Sequence, residues 1–232
     1  MTDQGLERLR GKFVVMDGVD GAGKGVQLAL MKEGLTAAGI DFAEGKDPGG
    51  TEIGDRIRHV LFDYDLSDMD VRCEALLFMA SRAQLMRDVV EPALAAGRIC
   101  LCDRFVSATC AYQGAAGFDP QRVIELARFA VNDTWPDLTI VLDLPPEEGF
   151  DRTGRMAGQK RKGRDVHGQV RLFHDTHMDS MEARPLAFHQ RVRELFLELP
   201  NYYPAPVAIV DGRGSAEEVY DRVLKAVVDA IL

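Results

Sequence analysis

Phe13-Val-Val-Met-Asp-Gly18-Val-Asp20-Gly-Ala-Gly23-Lys24-Gly25-Val26 is the stretch whose reading decides the fold. Its first half is an apolar run of the kind that forms a buried parallel strand. From Gly18 to Lys24 the order of residues fits G-x-x-x-x-G-K, the phosphate-binding P-loop. Glycines let the backbone curl until several N–H groups converge on phosphate oxygens. The lysine reaches the outer phosphates, and the positive end of the following helix faces the same anion. The expected cradle is Gly18, Asp20, Gly21, Ala22, Gly23, Lys24, Gly25 and Val26. One position departs from the motif. After the lysine it calls for Ser or Thr, whose hydroxyl ligates Mg2+, and here Gly25 stands. Either a water takes the place of that hydroxyl on a metal that keeps several waters anyway, or metal-dependent turnover is impaired.

Outward from the P-loop, three more short apolar runs read as buried strands: residues 99–102, 138–142 and 207–210, with a weaker one around 40–43. The first strand and these three runs end on or against an acidic residue: Asp17, Asp103, Asp143 and Asp211. Helical spacing separates them. Leu76, Leu77, Ala80, Leu85, Val89 and Leu94 recur at helical intervals, and Val219, Val223, Ala226, Val227 and Ile231 form an apolar stripe. The last helix opens on the capping pattern Ser215-Ala-Glu-Glu218. Strands alternating with helices predict a three-layer α/β fold with a parallel sheet of about five strands. Ligands then gather at the carboxyl ends of the strands. The whole chain, 1–232, reads as one domain, with an apolar-poor excursion at 153–179 expected to act as a mobile lid.

Composition excludes several classes. Lys plus Arg number 28 against 37 Asp plus Glu, a formal charge of −9. That balance argues against a dedicated nucleic-acid binder and leaves room for a local basic pocket. Four cysteines without a C-x-x-C pair suggest a reducing compartment. With no signal-like start and no long apolar run, a cytoplasmic protein without a membrane span is expected.

Further segments come in a telling order. Asp47-Pro-Gly-Gly-Thr51 is followed by Gly54-Asp-Arg-Ile-Arg58 and by Leu77-Phe78-Met-Ala-Ser-Arg82-Ala-Gln84. Then come Asp103-Arg104-Phe, Ala111-Tyr-Gln-Gly114, and Pro136-Asp-Leu-Thr-Ile-Val-Leu-Asp-Leu-Pro-Pro146. In this order and spacing the chain resembles the thymidylate kinase family of P-loop nucleoside monophosphate kinases over nearly its whole length. The resemblance implies phosphorylation of dTMP to dTDP with ATP as donor and Mg2+ as cofactor, by a homodimer joined through the long helix near residues 72–95. It implies that Lys24, Arg104 and Asp20 are catalytic, with Arg155 added from the lid, and that Asp103 ligates the metal. Arg152 and Arg161 are further lid candidates. For the acceptor it implies Asp20, Pro48, Arg58, Phe78, Arg82, Arg104, Thr109, Tyr112 and Gln113. Phe78 would stack on the base, Arg82 would donate to the thymine O4, and Thr109 would meet the N3 edge. Tyr112 would pack on the deoxyribose, and Arg104 would hold the acceptor phosphate.

Blander readings stand beside these. Phe78 also suits plain core, Arg82 and Arg58 suit solvated helix positions, and Asp103 suits a helix cap. The chain departs from the family at Lys46-Asp47, where Arg-Glu is usual, and at Phe105, Ala108 and Ser180. Two alternatives therefore remain in the sequence: a kinase for another, modified deoxynucleoside monophosphate, and a nucleotide-binding regulator with impaired catalysis.

Overall fold

The computed structural model describes residue 6 and residues 8–62, 69–154 and 184–231. The lid candidates Arg155 and Arg161 lie outside these residues, as does most of the expected excursion. Among the described residues, five strands form one parallel sheet: β1 (Phe13–Gly18), β2 (Phe42–Lys46), β3 (Ile99–Asp103), β4 (Leu138–Asp143) and β5 (Val207–Asp211). Their order across the sheet is β2-β3-β1-β4-β5. β1 is central: it is apolar from Phe13 to Met16 and buried at every position, Asp17 included. It is flanked by β3 and β4, whose chain connections leave in opposite directions. That is a topological switch point, where α/β sheets open a crevice.

The helices are α1 (Lys24–Ala37), α2 (Glu52–Phe62), α3 (Val71–Leu85), α4 (Glu91–Ala95), α5 (Val106–Ala115), α6 (Pro120–Ala130), α7 (Pro146–Thr153), α8 (Leu186–Glu198) and α9 (Ala216–Ile231). α1 and α9 pack on each other and on the sheet, while α5 packs on α6 and α8 in a second layer. The stripe of α9 is borne out, with Val219, Val223 and Val227 buried. So is its capping box: Glu218 N donates to Ser215 Oγ at 3.2 Å, and Ser215 N donates to Glu218 Oε2 at 2.8 Å.

Two expectations shift. The weak strand at 40–43 lies at 42–46, where Glu44 and Lys46 make an edge strand more polar than an apolar search finds. The long helix of residues 72–95 is interrupted by a π-helical turn, Met86–Val90, between α3 and α4. Among the described residues, no helix is long and apolar enough to cross a membrane.

Candidate active site

The P-loop turn is built from residues that side chains would spoil. Gly18 has φ 132°, and a Cβ there would sit 2.4 Å from Leu142 O. Gly21 has φ 77°, and its Cβ would sit 2.4 Å from Gly149 O. Gly23, at φ 97°, precedes α1 without any side-chain cap. The first N–H groups of α1 are thus left to whatever anion lies above them. Lys24 Nζ donates to the carbonyls of Gly18 at 3.0 Å and Val19 at 2.9 Å. Lys24 is half-buried, and its withdrawal from water, reinforced by the Arg104 cation, lowers its pKa to about 8. Ala22 is buried under the turn, whereas Val26 is half-exposed, so its side chain takes no part in the cradle. A Cβ on Gly25 would meet nothing within 4 Å, so a serine or threonine would fit there.

Arg104 follows β3 in a left-handed backbone conformation, φ 65°. That conformation costs a non-glycine residue roughly 1–2 kcal/mol. It turns the guanidinium back over the P-loop. Nη2 donates to Asp20 Oδ1 at 2.6 Å, Nη1 lies 3.5 Å from Asp17 Oδ1 and 3.3 Å from Gly18 O, and the cation lies over the Tyr112 ring. Asp17 is wholly buried, which pushes its pKa up, and it is held by Ser107 Oγ at 2.7 Å and Gly18 N at 2.9 Å. Burial also raises the Tyr112 phenol, keeping it a neutral hydrogen-bonding group.

Beside Arg104 opens a cleft of about 680 Å³, its mouth included. Asp20, Pro48, Arg58, Phe78, Arg82, Arg104, Thr109, Tyr112 and Gln113 line it, so all nine expected acceptor residues meet in one place. Asp47, Phe62, Phe105 and Ala108 complete the walls. Phe78 is buried but reaches the cleft, so core and wall are both true of it. Arg58 Nη1 donates to Pro48 O at 3.0 Å, and its guanidinium covers the Phe62 ring.

Arg82 corrects the solvated reading of that residue. It is 1% exposed and among the largest fully buried side chains. Its Nε donates to Asp47 Oδ2 at 2.5 Å, Nη2 to Thr109 Oγ1 at 3.0 Å and Phe105 O at 3.2 Å, and Nη1 to Met79 Sδ at 3.0 Å. A buried cation requires such pairing. Asp47, missed as a site residue, is the anion that permits it, and burial holds its own pKa up against the Arg82 charge. The signal was present: an acid ahead of Pro-Gly-Gly-Thr on one side, an arginine inside an apolar helix on the other.

Gly149 escaped sequence reading, as did the partners of Asp143 and Arg152. Gly149 on α7 touches the P-loop backbone, and a Cβ there would lie 2.3 Å from Asp20 O. Asp143, at the end of β4, takes both Nε and Nη2 of Arg193 at 2.6 and 2.9 Å. Arg152, the one lid candidate among the described residues, donates Nη1 to Gly212 O at 3.1 Å, at the far side of the P-loop.

Mg2+ can be tested against the donors present. Asp103 ends β3, and its buried Oδ1 accepts no hydrogen bond. An orphaned carboxylate oxygen suits a hard cation, which takes one or two carboxylates and fills the rest of its shell with phosphate and water. Among the described residues no cluster of three metal-ligating side chains exists. The donors therefore fit a metal carried with a phosphorylated ligand.

Comparison with known proteins follows the same line. The thymidylate kinase family model matches residues 16–223. The thymidylate kinase of Nitratidesulfovibrio vulgaris is 38% identical over 216 residues, covering 93% of this chain and 95% of its own. That of an Exiguobacterium species is also 38% identical, over 96% of this chain and 97% of its own. That of Protochlamydia amoebophila is 34% identical, over 94% of this chain and 92% of its own.

Proposed function

The chain belongs to the thymidylate kinase family, and from that premise we propose that it transfers the γ-phosphoryl group of ATP to dTMP, giving ADP and dTDP. It is a nucleoside monophosphate kinase, a phosphotransferase of nucleotide biosynthesis. The observation that carries the reading is the joint between cradle and cleft. Arg104 bonds Asp20 of the P-loop and lines the cleft that holds Phe78 and Arg82. A donor phosphate at α1 and an acceptor phosphate in the cleft would thus meet beside one guanidinium.

The work of each residue follows from its chemistry. Phosphoryl transfer needs positioning and charge stabilisation, with no covalent enzyme intermediate. The acceptor phosphate is already an anion, so no strong base is required. Mutual repulsion of the two phosphates is the obstacle. Lys24 and Arg104 offset it, the first as a point charge and the second as a planar fork matched to phosphate oxygens. Asp20 holds the fork in place, and it would lie near the acceptor's sugar and phosphate. Phe78 offers a stacking face, Arg82 a donor to a base carbonyl, Thr109 a contact at the N3 edge, and Tyr112 a wall against the deoxyribose. Arg58, Pro48 and Gln113 complete the acceptor site. Asp103 would hold Mg2+, which would supply charge neutralisation to the phosphates. Arg152, bonded to Gly212 O, is a candidate for the donor side, and Arg155 remains a lid candidate outside the described residues.

We further read the chain as a single domain with a lid, cytoplasmic, with nucleotides rather than nucleic acid as partners. Its free cysteines suit a reducing compartment. A homodimer through the region of α3 is supported by apolar side chains left at the surface of neighbouring helices: Leu76 on α3 and Phe129 on α6, 55% and 94% exposed. A panel of nucleoside monophosphates, assayed by ADP formation with and without Mg2+, tests the function. dTMP should be the preferred acceptor, and Mg2+ should be required. Equal turnover of all monophosphates would refute the substrate.

A further inference from the structure

Glu74 lies in the first turn of α3, 7% exposed, and faces α5 across the helix interface. Its Oε2 accepts from Gln113 Nε2 at 3.1 Å, and its Oε1 lies 3.4 Å from Arg184 Nη2. Gln113 is 1% exposed, and its Oε1 is buried without a hydrogen-bond partner. It lines the cleft one helical turn beyond Thr109, on the same face of α5.

A carboxylate only accepts hydrogen bonds, whereas an amide presents a donor on one side and an acceptor on the other. Beside Glu74 the amide must turn its NH2 toward the acid. Its oxygen is left without a partner on the other side of the amide, in the wall of the cleft that Gln113 lines. Arg82, which donates to Thr109, supplies the opposite polarity one turn away. Donor at Arg82 and acceptor at Gln113 form an ordered pair. A pyrimidine with a 4-carbonyl beside N3–H presents the complementary pair. Cytosine presents an amino group beside a bare N3, the reverse at both places.

We propose that Glu74 is a positioning residue that fixes the amide of Gln113 with its oxygen toward the acceptor base, so that the cleft selects a pyrimidine bearing N3–H. This rests on the assignment of the cleft to a thymidine monophosphate. Glu74 itself touches no substrate. Its effect is carried by the orientation of one neighbouring amide, which a neutral partner at position 74 would no longer dictate.

The test compares dTMP and dCMP as acceptors for the full chain and for Glu74→Gln and Glu74→Asp. A glutamine at 74 can donate to Gln113 Oε1 and let the amide reverse. In E74Q, kcat/KM for dTMP should fall roughly tenfold, mainly through KM, as expected for one lost neutral hydrogen bond. That for dCMP should hold or rise, and the KM for ATP should not move. E74D keeps the carboxylate and should keep the preference. A parallel loss for both acceptors, or an unchanged ratio, overturns the inference by making Glu74 a merely structural residue. Should E74Q fail to fold, the wild type decides with the 3-deaza analogue of dTMP, in which C–H replaces N3–H. Binding about tenfold weaker than dTMP supports an acceptor at N3, and equal binding overturns it. A wild type with no preference for dTMP over dCMP would instead sink the parent reading.

Discussion

Arg104 accepts an unfavourable backbone conformation, φ 65°, in order to lie against Asp20, Gly18 O and the Tyr112 ring. Strain of that kind persists where surrounding contacts over-determine it. Arg104→Ala should keep the fold and lose roughly 2–4 kcal/mol of transition-state stabilisation, about 30–1000-fold in kcat. Unchanged turnover with an unchanged circular dichroism spectrum would remove Arg104 from the mechanism. Lys24 gives a pH signature. Its pKa of about 8 lies below that of a free lysine, so it is a cation below pH 8 and neutral above. Only the cation attracts phosphate. ATP affinity measured by calorimetry should therefore be level near pH 7 and fall toward tenfold per pH unit above about 8. Affinity that stays level to pH 10 would show that Lys24 does not hold the phosphates. At this scale the P-loop was legible because its spacing is local. The burial of Arg82 was missed, because its signal is split between α3 and Asp47, 35 positions away in the chain. Breaking that pair would cost about 3–5 kcal/mol, so loss of Arg82 reads on stability as well as on the acceptor.

The helix α7 meets the P-loop backbone to backbone. Gly21 and Gly149 leave no space for a Cβ on either side, with contacts of 2.4 and 2.3 Å to carbonyl oxygens. The root of the segment after Gly154 is thereby fixed to the turn that carries Lys24. Gly149→Ala should displace one from the other. Forced overpacking costs about 1–3 kcal/mol, a loss in Tm of roughly 2–4 °C per kcal/mol for a chain of this length. ATP affinity should fall with it. A variant with wild-type Tm and ATP affinity would mean that the two elements yield without cost. Elements themselves were readable to the extent that burial is continuous. β1, β3 and β4 are buried over nearly their whole length and were found near their true bounds. β2 was misplaced by two to three residues because an edge strand is half polar. The π turn at Met86–Val90 leaves no trace in a helical periodicity that continues on either side of it.

The whole molecule carries a net charge of −9, yet Arg58, Arg82 and Arg104 line one cleft, and Arg104 and Lys24 both bond the carbonyl of Gly18. Asp47 and Asp20 partly balance Arg82 and Arg104, and a local group of cations on an acidic chain suits a small anionic substrate rather than a nucleic acid. The acidic composition was legible; the convergence required the strand order β2-β3-β1-β4-β5, which brings the ends of β1 and β3 together. Phe129, 94% exposed on α6, belongs to the surface proposed for dimerisation. Sedimentation at micromolar concentration should give twice the 25.6 kDa chain mass for the wild type and a shift toward monomer for Phe129→Glu. A monomeric wild type would refute that surface. The central claim is that the γ-phosphoryl group passes from the P-loop to a monophosphate in the cleft and not to water. Phosphorus-31 NMR of the protein with ATP, Mg2+ and dTMP follows that group directly. The account predicts that ADP and dTDP appear in equal amounts, with little inorganic phosphate. Inorganic phosphate accumulating with ADP while dTMP stays unchanged, or no consumption of ATP at all, would contradict it.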